Sequence, residues 1–221
     1  LKPIQRAMDE HGWVWPASQW IGLDLAAKTL GLVGLGRIGA KLARMAGLGF
    51  RMRVLGFDPR AEAARFEQAG VQRCAELREL LAHSDFVSVH CVLNDATRGL
   101  IGSGELAAMK PSAFLINVSR GAIVDEAALL HALQEQRIAG AALDVYSQEP
   151  LTKIGHPLSA LYAMDNAIVF PHLTFFTREA MQRLQEETLE RCFEIIDGRP
   201  AQVKSRDPRL RAQRQGVRFV D

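Results

Sequence analysis

Six residues early in the chain, Gly34-Leu35-Gly36-Arg37-Ile38-Gly39, have the types and spacing to bring a peptide backbone against a pyrophosphate. They follow an apolar run and precede a helical one, and each glycine has a mechanical task. Gly34 makes a tight turn, Gly36 admits the phosphates to the backbone, and Gly39 lets the helix press on the strand. The unpaired N–H groups and positive dipole end of that helix then face the anion. Glycines so spaced also serve turns with no ligand, so the next apolar run decides the matter. Met52–Phe57 ends in Asp58, nineteen positions beyond Gly39, where a carboxylate can accept both ribose hydroxyls of an adenosine and repel a 2′-phosphate. NAD is thereby favoured over NADP. The competing readings are that Asp58-Pro59 is only a turn and that Arg60 tolerates the extra phosphate.

Such a turn needs a sheet and helices to hold it. Short apolar runs at Lys28–Val33, Met52–Phe57, Asp85–His90, Ala113–Val118, Ile138–Val145 and Ala167–Phe170 read as buried strands. Helical patterns lie between them at Ile38–Leu48, Ala61–Gln68, Glu76–Ala82, Gly104–Met109 and Glu126–Gln136. Strands apolar on both faces, alternating with helices, predict a doubly wound parallel α/β sheet of Rossmann type. A long amphipathic helix, Thr177–Asp197, closes the pattern and stops at Gly198-Arg199-Pro200. Three segments follow: residues 1–25 as a packed arm holding Trp13, Trp15 and Trp20 without sustained period, 26–198 as a dinucleotide-binding domain, and 199–221 as a basic tail.

Composition narrows the function classes. Of 221 residues 48% are apolar, enough for a sizeable core, and the net charge of +2 is too small to imply a nucleic-acid partner. From Arg199 to Asp221 seven Lys/Arg stand against two Asp, +5, leaving −3 for the remainder, but no aromatic interleaving accompanies the basic tail. Cys74, Cys91 and Cys192 fit neither a disulfide framework nor a zinc site, which suits a reducing cytoplasm. No apolar run reaches the length of a membrane span and Leu1-Lys2-Pro3 does not open a signal peptide, so a soluble protein without membrane association is expected.

Four further clusters fall where later strands end, the edge at which open α/β sheets bind ligands. They are His90-Cys91-Val92-Leu93-Asn94 with Thr97-Arg98-Gly99-Leu100-Ile101; Asn117-Val118-Ser119-Arg120 running to Asp125; Leu143-Asp144-Val145 with Glu149-Pro150; and Pro171-His172. With Gly34–Gly39 they resemble the signature of the D-isomer-specific 2-hydroxyacid dehydrogenases over about Gly22 to Gly198. The resemblance implies a hydride transfer between nicotinamide and a D-2-hydroxy or 2-keto acid, with Arg120, Glu149 and His172 catalytic. A proton must reach the carbonyl oxygen as hydride arrives, which suits His172; Glu149 would hold its tautomer, and Arg120 would grip the substrate with its planar fork.

The same resemblance implies that Arg37 and Ile38 lie at the pyrophosphate, Cys91 and Val92 flank the adenosine, and Thr97 belongs to that wall. Val118, Ser119 and Arg120 would approach the nicotinamide ribose, Asp144 would accept from the carboxamide, and His172 would border the ring. The competing reading of Asp144 is a buried carboxylate capping a turn, and His90 and His156 read as structural or solvent-exposed. The chain departs from the family pattern at Val92 (commonly proline), Phe170 (commonly threonine) and the bulky Leu173-Thr174-Phe175-Phe176. Most of the family's substrate domain is expected to be absent, with turnover weak as a result. A homodimer is implied, the tryptophan arm suiting its burial. The rival reading is an NAD-responsive interaction module, since the family includes corepressors.

Overall fold

Strand residues that are apolar on both faces cannot be left at a surface, and here helices cover them on both sides. The structure, a computed structural model, describes residues 2–15, 21–203 and 216–220. The chain divides into two compact units, 1–174 and 175–221.

In the first unit, helix α1 (Lys2–His11) precedes β1 (Thr29–Val33), α2 (Arg37–Arg44), β2 (Arg53–Phe57), α3 (Ala63–Ala69), β3 (Gln72–Arg73) and α4 (Leu77–His83). Then come β4 (Phe86–Val89), α5 (Ser103–Ala108), β5 (Phe114–Asn117), α6 (Glu126–Gln134), β6 (Gly140–Leu143) and β7 (Ala167–Val169). Seven strands form one sheet in the order β3-β2-β1-β4-β5-β6-β7, and every recorded pairing in it is parallel. This is the doubly wound arrangement expected, with the strand order reversing between β1 and β4.

Alternation along β1 assigns the two faces. Leu30 and Leu32 join Ala43, Ala46, Val54 and Phe66 beneath α2 and α3. Val33 joins Leu80, Leu81, Val87, Leu106, Leu115, Leu129 and Leu133, which seat α4, α5 and α6. Each fully buried leucine contributes about 1.5–3 kcal/mol relative to an exposed one.

The expected strands and helices are present with ends shifted by a few residues, and four details differ. The helix expected over Ile38–Leu48 is α-helical only to Arg44 and continues as a π-helical turn over Met45–Gly49, where Phe50 N reaches back to Met45 O. The glycine-rich Met45-Ala46-Gly47-Leu48-Gly49 gives the freedom for that wider turn. The arm begins as α1, for which Gly12, at φ +71°, is the left-handed terminator rather than an interruption. Lys2 Nζ donates to Met164 O and Ala167 O at 3.2 and 2.6 Å, and Arg6 pairs with Asp165 at 2.8 Å. Trp13 and Trp15 are exposed, while Trp20 lies outside the described residues. The two-residue β3 and the two strands after residue 200 had no periodic signal.

The second unit holds α7 (Arg178–Ile196), capped by the Thr177 hydroxyl accepting from Ala180 N at 3.1 Å, and the parallel pair β8 (Ala201–Val203) and β9 (Val217–Phe219). Buried Glu194 accepts from Gln202 N at 2.9 Å and pairs with Arg191 Nε at 3.1 Å, tying α7 to β8. The expected terminator acts as read: Gly198 sits at φ +68°. Asp207-Pro208 in the basic tail lies outside the described residues. Among the described residues no helix is long and apolar enough to cross a membrane.

Candidate active site

Loops leaving the C-terminal ends of six parallel strands share one edge of the sheet. Those after β2, β1 and β4 carry the residues expected at a dinucleotide, and those after β5, β6 and β7 carry Arg120, Asp144, Glu149 and His172.

Two of the three glycines of the first turn are required by backbone contacts, and the third is not. Gly34 adopts φ +99°, and a Cβ there would stand 2.5 Å from Cys91 N, so the turn and the loop after β4 touch through bare backbone. A Cβ on Gly39 would strike Gly34 O. Gly36 has an ordinary φ of −71° and open space where its Cβ would be. Nothing in the protein itself excludes a side chain at Gly36. The clearance lies at the start of α2, whose first N–H groups have no side-chain cap, and it suits a pyrophosphate.

Asp58 sits beside this turn as spacing predicts and also braces it. Its Oδ2 accepts from Leu35 N at 2.9 Å and its Oδ1 from Arg60 N at 3.0 Å. Arg65, which sequence reasoning missed, donates to Leu35 O and Gly36 O, both at 3.2 Å. Arg37 and Ile38 open α2 in exposed positions, with Val92 exposed across the turn. Burial pushes the Cys91 thiol up to about 11, so at neutral pH it is a packing group and no nucleophile. The Thr97 hydroxyl donates to Val92 O at 2.6 Å and accepts from Asn94 N at 2.8 Å, closing the loop that carries it.

On the other side, His172 Nδ1 lies 3.0 Å from Glu149 Oε2, and Glu149 Oε1 accepts from Tyr146 N at 3.1 Å. The His172 bond, outweighing partial desolvation, holds the Glu149 carboxyl below its ordinary value. This bond engages Nδ1 of the ring. His172 itself has φ +59°, the left-handed region that side chains rarely occupy.

Asp144 is 2% exposed. It accepts from Leu173 N at 2.9 Å, Thr174 N at 3.1 Å and Thr174 Oγ1 at 2.6 Å. Burial raises its pKa, but those three donors outweigh burial and hold the carboxyl below the ordinary aspartate value. It is thus a turn-capping carboxylate here, whether or not it also meets a carboxamide.

Arg120 is exposed. Its Nη1 donates to Ser119 O at 2.7 Å, and among the described residues it forms no ion pair with Glu149. Its backbone is set by buried Asn117, whose Nδ2 donates to Arg120 O at 3.0 Å and whose Oδ1 accepts from Ser119 N at 3.1 Å. Val118 is half-buried between them. Ser119 Oγ donates to Cys91 O at 2.6 Å, joining the loops after β4 and β5.

The role of Asn117 has a signal in the sequence, a polar residue at the end of a buried strand. His90 is structural: its Nε2 meets Ser88 Oγ at 2.8 Å, and burial lowers its pKa to about 4. His156 is buried, accepting from Leu158 N at 3.0 Å and meeting Gln148 O at 3.0 Å.

The family model for the NAD-binding domain of D-isomer-specific 2-hydroxyacid dehydrogenases matches residues 1–174. A glyoxylate reductase of Aeropyrum pernix is 40% identical over 185 residues, 84% of this chain and 53% of the relative. A D-3-phosphoglycerate dehydrogenase of Archaeoglobus fulgidus is 38% identical over 186 residues, 84% of this chain and 34% of the relative. The chain therefore spans about half, or less, of the length of these relatives. The crystal structure of D-lactate dehydrogenase from Aquifex aeolicus, complexed with NAD and lactic acid, superposes with a TM-score of 0.79 at 30% identity, covering 89% of this chain and 61% of that one. The chain belongs to the D-isomer-specific 2-hydroxyacid dehydrogenase family, as an NAD-binding domain of that family.

Proposed function

We propose that this chain supplies the cofactor-binding and proton-handling side of an NAD-dependent oxidoreductase acting on D-2-hydroxy and 2-keto acids. One observation carries the reading: the Glu149–His172 pair, at 3.0 Å, stands on the same sheet edge as the clearance at Gly36. That formed pair favours an enzyme over an interaction module.

Gly34, Gly36, Arg37, Ile38 and Gly39 would hold the pyrophosphate and Asp58 the adenosine ribose, with Cys91, Val92 and Thr97 along the adenosine. Val118, Ser119 and Asp144 would border the nicotinamide end. Bound NAD supplies or takes the hydride. His172 Nε2 gives a proton to the carbonyl oxygen in reduction and takes it back in oxidation. The Glu149 carboxylate stabilises the imidazolium and fixes the ring. Arg120 swings from Ser119 O to bind the substrate carboxylate, since a guanidinium has donors to spare. A homodimer through this domain accords with the exposed Trp13 and Trp15, and a reducing cytoplasm with the three unpaired cysteines.

Calorimetric titration with NADH and NADPH, repeated on Asp58→Ala, tests the reading. NADH should bind in preference to NADPH. Asp58→Ala should narrow that preference and weaken NADH by roughly tenfold to a hundredfold, from the loss of charge-assisted bonds worth about 1.5–3 kcal/mol. Binding of neither cofactor, or a preference unchanged in the variant, would overturn it.

A further inference from the structure

Three donors converge on one buried carboxylate beside His172. With His172 in the left-handed region at φ +59°, the N–H groups of the next two residues turn to the same side and form a concavity for an anion. The anion is Asp144, whose Oδ1 accepts from Leu173 N at 2.9 Å and whose Oδ2 accepts from Thr174 N at 3.1 Å. The third donor is the Thr174 hydroxyl, the shortest of the three at 2.6 Å. Asp144 is fixed in turn: it follows directly on β6, it is 2% exposed, and its own N–H donates to Asn117 O at 3.0 Å.

We infer that Thr174, acting through the buried Asp144 carboxylate, is a positioning residue that holds the His172 backbone in the conformation from which its ring meets Glu149. Thr174 lies at the surface, but its acceptor does not, and a buried carboxylate that loses a donor has no water to replace it. The loop then has reason to shift until Asp144 is served again. His172 sits two residues from Thr174, so such a shift changes the ring's aim at Glu149. Glu149 cannot follow freely, because its other oxygen accepts from Tyr146 N at 3.1 Å.

The importance of this clamp for catalysis rests on the proposed function, but its test does not. Side-chain carboxyl signals of the full chain can be followed by carbon-13 NMR across an acid titration, with no cofactor present. Thr174→Val keeps the shape and removes the hydroxyl. It should move the Glu149 midpoint up toward the ordinary glutamate value and the Asp144 midpoint up as well, and Thr174→Ser should restore both. A Thr174→Val protein whose melting temperature falls while the Glu149 midpoint stays in place would overturn the inference, since Thr174 would then be a structural residue only. If Thr174→Val does not fold, Thr174→Ala compared with Thr174→Ser gives the same two outcomes. A chain that shows the Glu149 shift yet binds no NADH would refute the proposed function and leave the clamp standing.

Discussion

One added methyl group at Gly36 should spare the fold and remove the room for a pyrophosphate. A Cβ at this position meets nothing within 4 Å, and φ of −71° suits any residue. Gly36 is the N-cap of α2, where alanine is poorer than glycine by about 0.5 kcal/mol. At this chain length that is roughly 1–2 °C in melting temperature. If the methyl costs the phosphates two charge-assisted bonds to backbone N–H groups, at about 1.5–3 kcal/mol each, affinity for NADH falls by roughly 10² to 10⁴. Gly34→Ala is the contrasting variant. Its φ of +99° and the 2.5 Å approach to Cys91 N should cost roughly 3 kcal/mol or more, or about 6–12 °C. Thermal melts of the free protein and calorimetric titration with NADH read both effects. A Gly36→Ala protein that binds NADH as the parent does would refute the assignment of that clearance.

Two other perturbations probe ionised groups. Because the His172 bond holds the Glu149 pKa below its ordinary 4.5, the pair stabilises the fold above that pH and loses its effect as pH falls through the lower folded value. Glu149→Gln should therefore melt below the parent at neutral pH, with the gap closing under acid. A gap of constant size in melts across that range would count against the pairing. Asp85 links three segments, accepting from Thr29 N at 2.8 Å and pairing with Lys110 Nζ at 2.8 Å, with 20% of its side chain exposed. Asp85→Asn should cost about 1–2 kcal/mol in urea unfolding, a shift under 0.5 kcal/mol showing that the link carries little.

The sheet was legible because its strands are apolar on both faces and its helices are not, a contrast that survives without any alignment. The glycine turn was legible for a related reason: Gly34 and Gly39 answer to backbone contacts that a strand–turn–helix motif always makes. What escaped notice depended on side chains meeting across the fold. Thr174 lies 30 residues beyond Asp144, with β7 between them and no pattern linking the two, and Arg65 reaches the glycine turn from α3. Asp144 could be placed on the site edge from its position after β6, yet its three donors lie 29 and 30 residues away and no periodicity points to them. Helix α1 escaped because Gly12 was read as breaking a segment that it in fact terminates.

The strand order sets the adenosine side of the proposed site apart from its nicotinamide side. On the proposed reading, loops for the pyrophosphate and adenosine leave β2, β1 and β4, which are neighbours, and loops for the nicotinamide end, substrate and proton leave β5, β6 and β7, also neighbours. The first group comes from residues before 100 and the second from residues after 116, so the division in space is also a division in sequence. Between the loops at that seam runs the Ser119 Oγ to Cys91 O hydrogen bond. On that reading, recombination near the seam can exchange a nucleotide preference without disturbing the acid–base pair, provided the serine hydroxyl still finds its carbonyl.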